Sequence, residues 1–122
     1  MTVATRTIPG NLAVTRSVDT SITNAPQDIA SGAAKMTAVY VDNTGNANTV
    51  YVKFYDVAAS SVTVATTVPA SIILVPASTA LQFSFTAGFK FSTAISYACV
   101  TAGGTGGTTS PVAAVKMSTL SG

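Results

Sequence analysis

The sequence predicts an all-β chain folded as a single antiparallel β-sandwich, jelly-roll or immunoglobulin-like, with an extended N-terminal arm. Three observations carry this reading. In Leu81-Gln82-Phe83-Ser84-Phe85-Thr86 apolar and polar residues alternate, the period of a strand with one face turned inward. Turn-forming residues interrupt the β-branched and aromatic runs at strand-length intervals. No run keeps a helical period long enough to form a helix. A length of 122 residues fits one domain, read here as an arm over residues 1–30 and a sandwich over residues 31–122.

In chain order, the arm carries Pro9-Gly10, Asn24-Ala25-Pro26 and two weakly alternating runs, 12–18 and 21–29, which predict one or two strands. The runs 36–41 and 50–55 flank Asp42-Asn43-Thr44-Gly45-Asn46, a turn cluster that predicts their antiparallel pairing. The Thr-rich stretch 60–68 reads as an edge strand or a loop. Ser71-Ile72-Ile73-Leu74-Val75 is apolar on both faces and is expected as a strand covered on both sides, with Pro69 and Pro76 ending its pairing. Residues 81–86 and 89–99 are expected to form a hairpin around Ala87-Gly88, where glycine accepts positive φ at low cost. Ala102-Gly103-Gly104-Thr105-Gly106-Gly107 opens a flexible loop that ends at Pro111, and a last strand-like run follows over 112–120. The total is about seven or eight strands, usual for a two-sheet sandwich.

Composition narrows the function. Only 8% of residues are charged and 48% are hydrophobic, whereas about a quarter of an average soluble domain is charged. The surplus apolar surface must be buried within the monomer or covered by other subunits. No segment has the roughly 18 uninterrupted apolar residues of a membrane span, and the first residues lack the apolar stretch of a signal peptide, so no membrane partner is expected. A net charge of +2, with Arg6, Arg16, Lys35, Lys53, Lys90 and Lys116 scattered singly, argues against nucleic-acid binding as the main task.

Catalytic chemistry is also poorly supplied. The chain has no His and a single Cys, which removes His-dependent triads, the common zinc sets and any intrachain disulfide. Its acids are Asp19, Asp28, Asp42 and Asp56, each among turn-forming residues, and turn or surface roles account for them. Cys99 lies in an alternating run and reads as a small buried hydrophobe. The glycine-rich stretch is no phosphate cradle, since no Lys follows it and no helix starts there. No catalytic residue, cofactor or metal is therefore expected.

One ordered set of elements resembles a known class. Asn43-Thr44 precedes Tyr51-Val52-Lys53-Phe54-Tyr55-Asp56; Thr66-Thr67-Val68-Pro69 and Ile73-Leu74-Val75-Pro76-Ala77 follow; then come Ala87-Gly88-Phe89-Lys90-Phe91-Ser92-Thr93-Ala94-Ile95-Ser96-Tyr97-Ala98 and the Gly/Thr-rich loop to Pro111. From about Val39 to Pro111 the chain resembles small virion proteins of tailed bacteriophages, encountered among head and tail structural genes. It departs from them at Ala65 and Ala94, where such proteins often carry Gly. The resemblance implies a non-enzymatic structural component of the particle. The leading expectation is a capsid decoration or cement protein, made in the host cytoplasm and placed on the capsid surface. It would bind the major capsid protein and neighbouring virion subunits, as a homo-oligomer, with its arm laid along a neighbour. The alternative is a tail or fibre module that contacts a host glycan through Tyr side chains. Tyr97 shares parity with Phe91 and Ile95 and belongs to the core, whereas Tyr51, Lys53 and Tyr55 share one strand face, expected to be partly exposed, and form the candidate interaction surface.

Overall fold

A computed structural model describes residues 3–8 and 14–122, the first of these segments by its backbone only. Among the described residues nine strands form: β1 (Val3–Ile8), β2 (Val14–Asp19), β3 (Gln27–Ala30), β4 (Ala34–Asp42), β5 (Val50–Tyr55), β6 (Ser71–Val75), β7 (Ala80–Phe91), β8 (Ile95–Val100) and β9 (Lys116–Ser121). They make a five-stranded sheet, β1-β2-β9-β4-β7, packed on a four-stranded sheet, β3-β8-β5-β6. All the pairs are antiparallel.

The pairing is concentric. β5 pairs with β6, β4 with β7, β3 with β8 and β2 with β9, so residues 14–121 form one long folded-over ribbon rolled into two layers. Contacts between β4 and β9 and between β5 and β8 close the roll. That order is a jelly roll, which resolves the choice left open with the immunoglobulin-like arrangement. Residues 1–30, expected to hold one or two strands, contribute three. β2 and β3 are paired into opposite sheets, so this stretch is built into the sandwich from Val14 onward.

Rolling corrects three local expectations. The runs around residues 42–46 do reverse direction there, but β4 and β5 enter different sheets and do not pair. The turn is held by its own side chains: Asp42 Oδ1 accepts from the Thr44 N–H and hydroxyl, an arrangement favoured by Asp at a turn. Ala87-Gly88 makes no hairpin. It lies in a bulge within the continuous strand β7, where residues 85–88 face the single residue Thr37 between the pairs Met36–Phe89 and Ala38–Ser84. Gly88 sits there at φ +77°, and a Cβ on it would meet Lys35 Cβ at 3.0 Å, so glycine is needed both for conformation and for space. β6, finally, is covered on one face only: Ile73 and Val75 are buried, while Ile72 and Leu74 are 39% and 49% exposed at the end of the four-stranded sheet.

The core lies between the sheets. Met36, Val39, Val41 and Met117 from one layer meet Val50, Val52, Phe54, Ile95, Tyr97 and Cys99 from the other, and Phe83, Phe85 and Phe89 of β7 pack on its flank. Cys99 is fully buried as expected, and burial pushes its thiol up to about 12.

Every residue of β8 is buried, on both faces of the sheet. Two loops explain this. The loop from 56 to 70, which includes a 3-10 turn at Ala59–Ser61, crosses the outer face of the four-stranded sheet: the Ser96 hydroxyl donates to Val57 O at 2.6 Å, and the Ala59 N–H donates to Asp28 Oδ1 at 2.8 Å. The Thr-rich stretch belongs to this loop. The glycine-rich loop covers the rest. The chain's accessible area of 6040 Å² is that of an ordinary monomer of this mass, roughly 6,000 Å².

Candidate interaction surface

Tyr51, Lys53 and Tyr55 do share the outer face of β5, but that face is not open. Tyr55 and Lys53 have no exposed surface, and Tyr51 is half-buried. The Lys53 ammonium donates to Thr105 O at 3.1 Å and Gly107 O at 2.9 Å, so the glycine-rich loop folds back as a lid over the strand. The lid is pinned, not a mobile tip. The Thr101 N–H donates to Thr109 O, the Asn24 side-chain amide to Thr108 O, and the Asn24 N–H to the Ser110 hydroxyl. Glycine is required at Gly107, where a Cβ would lie 2.2 Å from Ala102 O, and a Cβ on Gly103 would sit tightly against the Tyr51 ring at 3.1 Å. Burial pushes the Lys53 ammonium below the usual lysine range and the Tyr55 phenol above its own. The Tyr55 hydroxyl has no hydrogen-bond partner among the described residues. The face was expected to be partly exposed; the signal that could have revealed this cover is Lys53 itself, since a cation in a strand otherwise made of Val, Tyr and Phe needs acceptors, here the carbonyls of Thr105 and Gly107.

The four aspartates serve structure. Asp56 Oδ1 and Oδ2 accept from the backbone N–H groups of Ser92, Thr93 and Ala94, anchoring the crossing from β7 to β8; these bonds hold its carboxyl below the usual range. Asp42 is lowered in the same way by its bonds from Thr44. Asp19 also makes a turn, through the Ser21 N–H, but it is not on the surface. It is 2% exposed, and Tyr97 donates to its Oδ2 at 2.6 Å, with the Ser21 N–H on Oδ1 at 3.0 Å. Sequence reasoning also missed a buried asparagine pair. Asn43 Nδ2 has Asn48 O, Val75 O and Pro76 O within 3.3 Å. Asn46 donates to Asn43 Oδ1 and Ala113 O and accepts from the Ala113 N–H. This pair ties three loops together at one end of the roll. Among the described residues no group of three or more acids or Cys is placed to hold a metal.

Among the described residues two surfaces stand open. The first is the edge of β6, an uncharged five-residue strand with Ile72 and Leu74 outward, bounded by Pro69 and Pro76 and preceded by Val68, 76% exposed. No strand lies beside its far edge among the described residues. The second is the outer face of the five-stranded sheet. There Arg16, Ala38, Tyr40, Gln82, Ser118 and Leu120 line a shallow groove of about 370 Å³, with Tyr40 41% exposed. Comparison of the chain with protein-family models, with curated proteins and with solved structures finds no match.

Proposed function

We propose that the chain is a non-enzymatic virion structural protein of a tailed bacteriophage, a capsid decoration or cement protein that binds the major capsid protein lattice and stabilises the head. The observation that carries this reading is the open β6 edge. An uncharged apolar strand edge with Ile72 and Leu74 exposed is a hazard on a free monomer, because its unpaired backbone invites another strand, and it is made safe when a neighbouring subunit covers it. Two further points support it. The aspartates and Cys99 are engaged in turns, anchors and core packing. The jelly roll is an architecture shared by viral capsid and lectin domains, an analogy of fold and not of site.

The glycan-binding reading loses its best residues, since Tyr51 and Tyr55 lie beneath the chain's own loop. The deciding experiment mixes purified protein with undecorated phage heads. Saturable binding at a fixed ratio to the major capsid protein, with heads surviving a higher temperature, is the expected result, and Leu74→Lys should weaken that binding. Absence of binding to heads, with the protein found on tails, would refute it.

A further inference from the structure

The charged residues are not spread evenly over the folded chain. Arg16 on β2, Lys35 on β4, Lys90 on β7 and Lys116 on β9 are all exposed on the outer face of the five-stranded sheet. Arg6 is placed opposite Arg16 by the backbone register of β1 with β2. Among the described residues the only side-chain carboxylate on that face is Asp42, paired in register with Lys116 at one corner. The other acids are elsewhere: Asp19 is buried between the layers, and Asp28 and Asp56 belong to the four-stranded sheet and its loops. The remaining cation, Lys53, is enclosed beneath the glycine-rich loop. Lys35 and Lys90 even stand directly opposite each other across the strands, an arrangement that costs stability in the free protein.

We infer that the outer face of the five-stranded sheet docks on an acidic protein surface. The inference deepens the decoration reading and rests on it for the partner's identity. Charge complementarity selects the partner, and size permits it: five strands about 4.8 Å apart, from the six residues of β1, β2 and β9 to the twelve of β7, present roughly 600 Å², somewhat below the ~800 Å² each side contributes to a standard interface. The lining also has the composition of a contact surface. Tyr40, Leu120 and Ala38 supply apolar area around Arg16, and the groove between them offers a seat for an acidic side chain. Nucleic acid suits the face less well, because a duplex is held by phosphate contacts in a continuous basic track, whereas Lys35, Lys90 and Lys116 stand at strand ends, apart from the groove that holds Arg16.

The test uses the full chain, labelled with 15N and titrated with poly-L-glutamate at low salt, with a DNA duplex in parallel. Backbone shifts confined to β2, β4, β7 and β9 around Arg16 and Tyr40 are expected, vanishing as salt screens the charges. Arg16→Glu with Lys90→Glu should weaken binding at least about tenfold while circular dichroism is unchanged; Tyr40→Ala serves as a second variant should that pair fail to fold. Shifts that map elsewhere, no shifts at all, or DNA bound tighter than poly-L-glutamate at the same face would overturn the inference. The same variants applied to heads separate the two claims. Heads bound equally by wild type and charge-reversed protein would sink the docking face and leave decoration standing. Loss of poly-L-glutamate binding in the variants, with heads bound by neither protein, would keep the face and sink decoration.

Discussion

Two buried tyrosines offer the same chemical change with opposite outcomes. Tyr97→Phe removes a hydroxyl that donates at 2.6 Å to a carboxylate, both residues being 2% exposed. Ring packing is retained, so the loss is that of one hydrogen bond to a charged acceptor, about 1.5–3 kcal/mol, because Asp19 Oδ2 stays buried without its donor. For a chain of 122 residues, 2 kcal/mol lowers Tm by roughly 8 °C. Tyr55→Phe removes a hydroxyl that is buried with no partner among the described residues, and should leave stability unchanged or raise it by up to about 1 kcal/mol. Urea denaturation followed by far-ultraviolet circular dichroism measures both, with equal m values showing that the denatured states are comparable. A Tyr97→Phe variant within about 0.5 kcal/mol of wild type, or a Tyr55→Phe variant as damaged as Tyr97→Phe, would refute this reasoning, since the two predictions rest on one comparison of partnered with unpartnered hydroxyls. The pair also predicts alkaline behaviour. Burial, and for Tyr97 also the bond to Asp19, raises both phenols above 10.0. Above that pH the unfolded chain releases protons that the folded chain retains, so stability falls as pH rises, and either Phe variant should flatten the fall.

Further outcomes follow from the loops and the core. Asn43→Asp keeps shape but puts acceptors against three backbone carbonyls, and should cost about 3 kcal/mol or more in the same urea assay. Gly107→Ala must displace Ala102 O, and hydrogen exchange should show faster amides over residues 101–109 and loss of the Lys53 cover, with the core strands unchanged. The bonds on Asp56 depress its pKa below 3.8, so its contribution is present above that pH and is lost as pH falls through the lowered value; Asp56→Asn should weaken the acid dependence seen in a pH titration of unfolding. Cys99, buried with a thiol pushed up to about 12, should react with a thiol reagent at pH 8 only at the rate of unfolding, and rapid labelling of the native protein would contradict its place in the core.

Much of the strand content was legible locally. The alternation in 81–86 lies within β7, the prolines at 69 and 76 bound β6, and Tyr97 and Cys99 are in the core as parity required. Pairing was misread where it depended on partners far along the chain. Turn chemistry says where the chain reverses and is silent about whether the next strand stays in the same sheet. In a rolled ribbon it mostly crosses, as β4 to β5 and β7 to β8 do. The candidate surface failed for a related reason. The face of Tyr51, Lys53 and Tyr55 was correctly grouped, but what covers it is a loop some fifty positions further on: Lys53 meets Thr105 and Gly107.

By itself the sequence determined the class of structure: strand periods, turn positions and the absence of His are all short-range or compositional properties. Only the tertiary structure decided the jelly-roll order, the enclosure of Lys53, the Tyr97–Asp19 and Asn43–Asn46 bonds and the gathering of dispersed cations on one sheet. The physical reason is that antiparallel pairing joins residues as distant as Thr15 and Ser121. Once β2, β9, β4 and β7 lie side by side, residues far apart in the chain share a face, and their charges add where the linear sequence showed them singly.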